Sequence, residues 1–187
     1  EMPEVDWAEA FWHLPVEDLM RSVDGPKGIF ADAAPNTTGG RMIRRTPNDP
    51  AWYRGGLWHD DEGFGVPSFW WMSWYDVSIS PNLALFNWVR EHAEDPVVRD
   101  NQFALIAPVG HCGYRRSQEE TVVGERSMGD ARFDYEELTY RWFDYWLKGE
   151  DNGVLEDTPR VQYYLMGANE WRAADSWPPE GTEMVTW

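Results

Sequence analysis

The sequence predicts an α/β fold with parallel strands, and three observations carry that expectation. Residues 66–75 and 102–110 are short, nearly continuous apolar runs, as in strands buried on both faces of a sheet. Residues 80–94, between them, carry apolar positions at helical spacing. A strand, a helix and a strand in succession make a βαβ unit, whose two strands lie parallel and adjacent.

The elements follow in chain order. Residues 1–62 lack strand alternation. Within them "PVEDLMRSV" reads as a helix with Leu14, Leu19 and Val23 on one face, and "GPKGIFADAAPNTTGGRMIRRTPNDP" reads as loop. The first strand ends in "SFWWMSWYD", so a run fit for the interior stops on the carboxylate of Asp76. The helix "SPNLALFNWVREHAE" has Ser80 as N-cap, Pro81 at its first position and Leu83, Phe86 and Val89 as its stripe. The second strand is "QFALIAPVG". A second helix is expected over 135–148, with Leu138, Trp142, Tyr145 and Trp146 on one face and Gly149 closing it. After the turn-rich "EDNGVLEDTPR", the stretches "RVQYYLMG" and "TEMVTW" read as strands with no helix between them. That change of pattern places a domain boundary near residue 158.

Composition narrows the function. A length of 187 residues with 42% hydrophobic content supports one real core. The formal charge of −17 argues against nucleic acid and anionic membrane as partners, both polyanions. No apolar run nears the roughly 18 residues of a membrane span. The acidic opening "EMPEVDWAEAFWHLP" has no secretory character. With Cys112 as the single cysteine, an internal disulfide is impossible. Glu1 in place of an initiator Met, and a final strand without a partner, lead us to expect a segment of a longer protein. The thirteen tryptophans suit either core packing or an aromatic-lined pocket.

The chemistry concentrates where the two strands end. Ligands of open parallel sheets sit beyond the carboxyl ends of the strands. The first strand ends at Asp76, and the second runs into "PVGHCG", which holds His111. Adjacent parallel strands put both residues on one edge of the sheet. An Asp beside a His is the orienting half of a nucleophilic triad: the carboxylate fixes the tautomer and the far ring nitrogen takes a proton from a serine. Asp before His, each at a strand end, is also the α/β-hydrolase order after the serine. Each residue has a plainer explanation, Asp76 as a turn former and His111 as loop surface. The G-x-S-x-G elbow of such enzymes is missing. In "GERSMG", Gly124 is one residue too far from Ser127, and Ser73 has no flanking glycines. The nucleophile is therefore expected upstream, outside this chain.

Other candidates are weaker. His59, Asp60, Asp61 and Glu62 are metal-ligating types, but four adjacent side chains cannot converge, so a solvated acidic loop is expected. Cys112 next to His111 resembles a reactive thiol, although neighbours in sequence rarely form a nucleophile–base pair. His13, His59 and His92 have no evident partners, and Glu119, Glu120 and Glu125 read as a solvated loop. No metal or cofactor is expected.

Four stretches carry a family resemblance: "SWYD", "APVGHCGY", "FDYEELTYRWFDYWLKGEDNGV" and "VQYYLMGANEWRAADSWPPEGT". Together, over about residues 45–187, the chain resembles the cocaine esterase/X-Pro dipeptidyl-peptidase-like serine hydrolases, a family that includes α-amino acid ester hydrolases and glutaryl-cephalosporin acylases. The resemblance implies an α/β-hydrolase core, a helical cap inserted between serine and acid, and a C-terminal β jelly-roll. Residues 1–62 would be the end of the cap, 63–157 the second half of the core, and 158–187 the start of the jelly-roll. Asp76 would be the triad acid and His111 the general base. The serine, and a tyrosine of the oxyanion hole, would lie upstream. Two positions depart from the family pattern: Ser73 stands where a glycine commonly precedes the acid motif, and Pro108-Val109-Gly110-His111 stands for Pro-Trp-x-His. Val77 and Ser78 follow Asp76 where the α-amino acid ester hydrolases place acids, so that specialisation is not expected.

The reading is thus a serine hydrolase that cleaves ester or amide bonds of a small molecule or short peptide through an acyl-enzyme. Its partner is the remaining part of the same protein, and a homo-oligomer is compatible with it. These residues alone should be inactive. The rivals are a binding module, with exposed coplanar tryptophans and no Asp76–His111 contact, and a relative that has lost its serine. Separation of Asp76 and His111 beyond about 5 Å would end the triad reading.

Overall fold

The computed structural model describes residues 6–15, 45–46, 48–55, 63–113, 117–183 and 185–186. The chain divides into two units, Glu1–Glu62 and Gly63–Trp187.

In the first unit, α1 (Trp7–Ala10) is capped by Asp6, whose Oδ1 accepts from the Glu9 N–H at 3.1 Å. A 3₁₀ turn covers Pro50–Gly55, and the Trp52 indole N–H donates to the Thr46 carbonyl at 2.9 Å. The helix expected in "PVEDLMRSV" falls almost wholly, and the acidic run 59–62 entirely, outside the described residues.

The second unit is built around β1 (Ser68–Tyr75) and β2 (Gln102–Gly110), which pair in parallel as their βαβ connection demands. The connection is α2 (Ile79–His92) followed by the short α3 (Pro96–Asp100). Then come the hairpin β3 (Thr121–Val123) and β4 (Arg126–Gly129), the helix α4 (Tyr135–Phe143), α5 (Val154–Asp157), β5 (Val161–Leu165) and β6 (Glu170–Ala174). The main sheet has the order β1-β2-β5-β6, and β3-β4 form a separate two-stranded sheet.

β2 lies inside the sheet and is buried along almost its whole length, because both faces are covered. Ala104 and Ile106 join Met72, Phe86 and Val161 in one cluster, with Phe86 supplied by α2. Leu105, Ala107 and Val109 alternate to the other face and meet Tyr135 of α4. Trp142, about two turns further along α4, packs edge-on against Phe103 at 5.4 Å. Gln102 is fully buried yet satisfied: its Nε2 donates to the carbonyls of Val98 (2.7 Å) and Val66 (3.0 Å), and its Oε1 accepts from the Trp70 indole at 2.8 Å.

Four expectations change. β1 is only partly buried and, among the described residues, lies at the edge of the sheet, although its composition reads as interior. α2 begins at Ile79 rather than after Ser80, since Asp76 already turns the chain: its carbonyl accepts from the Ile79 N–H at 3.2 Å. Pro81 then falls within the first turn, where a missing N–H costs nothing. The helix expected over 135–148 is α-helical to Phe143 and π-helical over Asp144–Lys148, and Gly149 closes it with φ 72°. Finally, the sheet does not stop at residue 158. β5 pairs in parallel with β2, with α4 lying between them in sequence, and β6 returns antiparallel. Residues 182, 183, 185 and 186 of the expected terminal strand lie in no strand, and Glu170–Ala174 pairs with β5 instead.

Candidate active site

The two strand ends are brought into register by a bulge. Ser68 to Ser73 pair with Gln102 to Ala107, but Tyr75 pairs with Gly110, so β2 carries one extra residue between Ala107 and Gly110. Pro108 stands in that interval and has no N–H for a ladder bond, which suits it to a bulge and not to a regular central strand. The extra residue shifts the pairing so that the residue after Tyr75 faces the residue after Gly110. Those residues are Asp76 and His111.

Each strand then turns sharply. Gly113 N–H donates to the Gly110 carbonyl at 2.9 Å, closing a four-residue turn with His111 and Cys112 at its centre. Cys112 occupies the left-handed region at φ 53°. A Cβ on Gly113 would lie 2.9 Å from the Gly110 carbonyl oxygen, so the turn needs glycine there. On the other strand, Asp76 forms an Asx-type turn: its Oδ1 accepts from the Ser78 N–H at 2.9 Å and from the Ser78 hydroxyl at 2.7 Å.

Asp76 Oδ2 and His111 Nδ1 are 2.8 Å apart. The two carboxylate oxygens have separate partners, one ordering the turn and the other holding the imidazole. The Asp76 carboxyl is held down to about 2 from 3.8, chiefly by the Ser78 backbone N–H, then by the Ser78 hydroxyl, with His111 adding less. An ionised carboxylate can only accept, so Nδ1 carries the proton and Nε2 is the acceptor nitrogen of the neutral ring. The Asp76 side chain is 11% exposed and that of His111 70%, so the acid is sheltered while the ring reaches outward. A cleft of about 480 Å³ opens beside the ring, lined by Gln118, Glu120, Thr121 and Val123 among others.

Cys112 directly follows His111 in sequence, where a nucleophile–base pair is rare, yet its Sγ lies 3.5 Å from His111 Nε2. Ser78 was also missed as a partner of the acid. The Asp-x-Ser spacing is itself an Asx-turn signal and could have found it. Of the other described candidates in this unit, Glu120 lines the cleft beside the ring, whereas His92 and Glu119 have partners elsewhere. His92 stacks on Trp88 at 4.8 Å and its Nδ1 lies 2.9 Å from the Trp88 carbonyl oxygen. Glu119 pairs with Arg132 at 2.8 Å, and Glu120 accepts from Ser127 across the β3–β4 hairpin. Among the described residues no group of three or more His, Cys, Asp or Glu could hold a metal ion. No helix among them is long and apolar enough to cross a membrane.

No protein-family model matches the chain. It is 26% identical over 125 residues to a Mycobacterium bovis protein provisionally named a serine esterase, covering 67% of this chain and 18% of that protein. It is 25% identical over 141 residues to the cocaine esterase of a Rhodococcus species, covering 74% of this chain and 22% of that enzyme. The chain thus spans about a fifth of the length of the curated relatives it matches. Among solved structures it is similar to an aminopeptidase from a marine sediment archaeon of the Thaumarchaeota. That likeness has a TM-score of 0.46 and 25% identity, covering 64% of this chain and 19% of the other. The esterase names among its relatives are consistent with the resemblance to the cocaine esterase/X-Pro dipeptidyl-peptidase-like hydrolases read from the sequence.

Proposed function

We propose that this chain supplies the acid and the general base of a serine hydrolase that cleaves ester or amide bonds through an acyl-enzyme. The observation that carries the proposal is the 2.8 Å contact between Asp76 Oδ2 and His111 Nδ1, on an imidazole that is 70% exposed. Esterase-named relatives support the ester-cleaving class.

The mechanism follows from the proton positions. Asp76 keeps the proton on Nδ1, so Nε2 accepts the hydroxyl proton as the serine oxygen attacks the acyl carbon. The ring becomes an imidazolium, and the adjacent carboxylate stabilises that charge. Nε2–H then protonates the leaving alkoxide or amine, and the acyl group stays on the serine. A water, deprotonated by Nε2 in its turn, releases the acid. The serine comes from outside these 187 residues, which have no G-x-S-x-G elbow. The exposed Cys112 thiol lies 3.5 Å from Nε2, the nitrogen this serine must reach. In this reading residues 1–62 end the cap and the core runs from residue 63 through β6. The β5–β6 hairpin then extends the same sheet and leads into the jelly-roll. The 187 residues alone turn over no ester, and the substrate is a small ester, amide or short peptide.

A fluorophosphonate probe on the protein that carries this chain tests the proposal. One serine outside residues 1–187 should be labelled. His111→Ala should abolish labelling, while Cys112→Ala should leave it intact. Label on Cys112, or undiminished labelling in His111→Ala, would overturn it.

A further inference from the structure

The acid's second oxygen points to a supporting device on α2. Ser78 has one hydroxyl proton and can both donate and accept. Its Oγ lies 2.7 Å from Asp76 Oδ1 and 3.2 Å from Asn82 Nδ2, one turn further along. The Asn82 amide nitrogen can only donate, and the ionised carboxylate can only accept. The hydroxyl rotor therefore has one arrangement that satisfies both neighbours: it accepts from Asn82 and donates to Asp76. Asn82 is itself fixed, because its backbone N–H donates to the Ser78 carbonyl at 3.0 Å as the first bond of the helix.

We propose that Ser78 and Asn82 are positioning residues for the hydrolase: an Asn82–Ser78–Asp76 relay on the first turn of α2 that engages Oδ1 and so presents Oδ2 to His111. The inference rests on the serine-hydrolase reading for its consequence in turnover, but not for its geometry. With Oδ1 engaged twice by Ser78, the carboxylate cannot rotate about its Cβ–Cγ bond without breaking both bonds. Oδ2 then stays on the line to Nδ1. The backbone N–H of Ser78 is independent of its side chain, whereas the hydroxyl bond is a feature of this residue that substitution can remove. Alanine at residue 78 keeps the Asx turn and loses the relay, and threonine keeps both.

Two measurements test this. In the 187-residue chain, the Asp76 carboxyl is titrated by carbon NMR in wild type, Ser78→Ala, Ser78→Thr and Asn82→Ala. The midpoint should rise in Ser78→Ala, return toward wild type in Ser78→Thr, and rise by less in Asn82→Ala. In the complete hydrolase, Ser78→Ala should lower kcat roughly tenfold with KM little changed, the scale of one charge-assisted hydrogen bond. Ser78→Thr should recover most of that loss. An Asp76 midpoint unmoved in Ser78→Ala would overturn the relay, as would an equal kcat loss in Ser78→Thr. If Ser78→Ala does not fold, Asn82→Ala reads the same relay with Ser78 in place. A hydrolase reading that fails shows as absent turnover in wild type, while the NMR titration still decides the relay.

Discussion

Replacing Asp76 by asparagine changes one atom's chemistry and should reverse the histidine. In the wild type Oδ1 accepts two bonds from Ser78, at 2.9 and 2.7 Å, and Oδ2 accepts one from His111 at 2.8 Å. Asparagine offers a single acceptor oxygen and an NH₂ group that can only donate. Ser78 presents two donors to one spot, so the amide oxygen takes the Oδ1 position and the NH₂ faces Nδ1. Nδ1 must then accept, which moves the ring proton to Nε2. A ring with Nε2–H cannot take the serine proton. On the proposed function, turnover of the complete protein should fall by roughly 10⁴-fold, the size of loss when a triad histidine is held in the wrong tautomer. The tautomer itself is readable in this chain without any activity, from the nitrogen-15 shifts of His111 above its titration. Wild type should show the proton on Nδ1 and Asp76→Asn on Nε2. An Asp76→Asn ring that keeps its proton on Nδ1, or a variant hydrolase within tenfold of wild type, would refute the reasoning.

Other predictions concern stability and the turn. The Asp76 carboxyl is depressed in the folded state to about 2, below its ordinary 3.8. Its stabilising contribution is therefore full above pH 4 and is lost as pH falls through about 2. Thermal melts of wild type should exceed those of Asp76→Asn at pH 5, with the gap closing by pH 2. Phe86 is fully buried between α2 and the sheet, so Phe86→Ala should cost about 3–5 kcal/mol in urea unfolding. Gly113→Ala would put a methyl 2.9 Å from the Gly110 carbonyl oxygen. It should open the turn, broaden or shift the His111 ring resonances and cost about 1–3 kcal/mol.

Where the sequence was legible, one local rule spoke without competition. Leu83, Phe86 and Val89 share a helical stripe, and Phe86 and Val89 are buried as that spacing demands. Gly149 ends its helix in the left-handed region because few other residues adopt it cheaply. The unbroken apolar run of β2 follows from its place inside the sheet. Asp76 and His111 meet because strand ends of a βαβ unit converge, a consequence of topology and not of side-chain detail.

What was not legible depended on pairing between distant segments. The bulge at Pro108 sets the one-residue shift that brings His111 opposite Asp76, and only the partner strand reveals it. β1 has interior composition but, among the described residues, an edge position, since its neighbours on the sheet are set by tertiary order. The boundary near 158 rested on the absence of a helix after it, whereas α4 before it already connects β2 to the parallel strand β5. The start of α2 was displaced because Asp76 and Ser78 make a turn that competes with the stronger-looking cap at Ser80. The tryptophans, open to packing or to a pocket from sequence alone, include the pair Trp74 and Trp177, which meet at 5.3 Å with tilted rings.

The central claim is that His111 Nε2 receives the proton of a serine that lies outside these residues. A crystal structure of the complete protein after fluorophosphonate labelling tests it most directly. The account predicts one phosphonylated serine whose Oγ lies about 2.6–3.2 Å from His111 Nε2, with Asp76 still on Nδ1. A labelled serine far from His111, or a labelled residue paired with a different histidine, would contradict it.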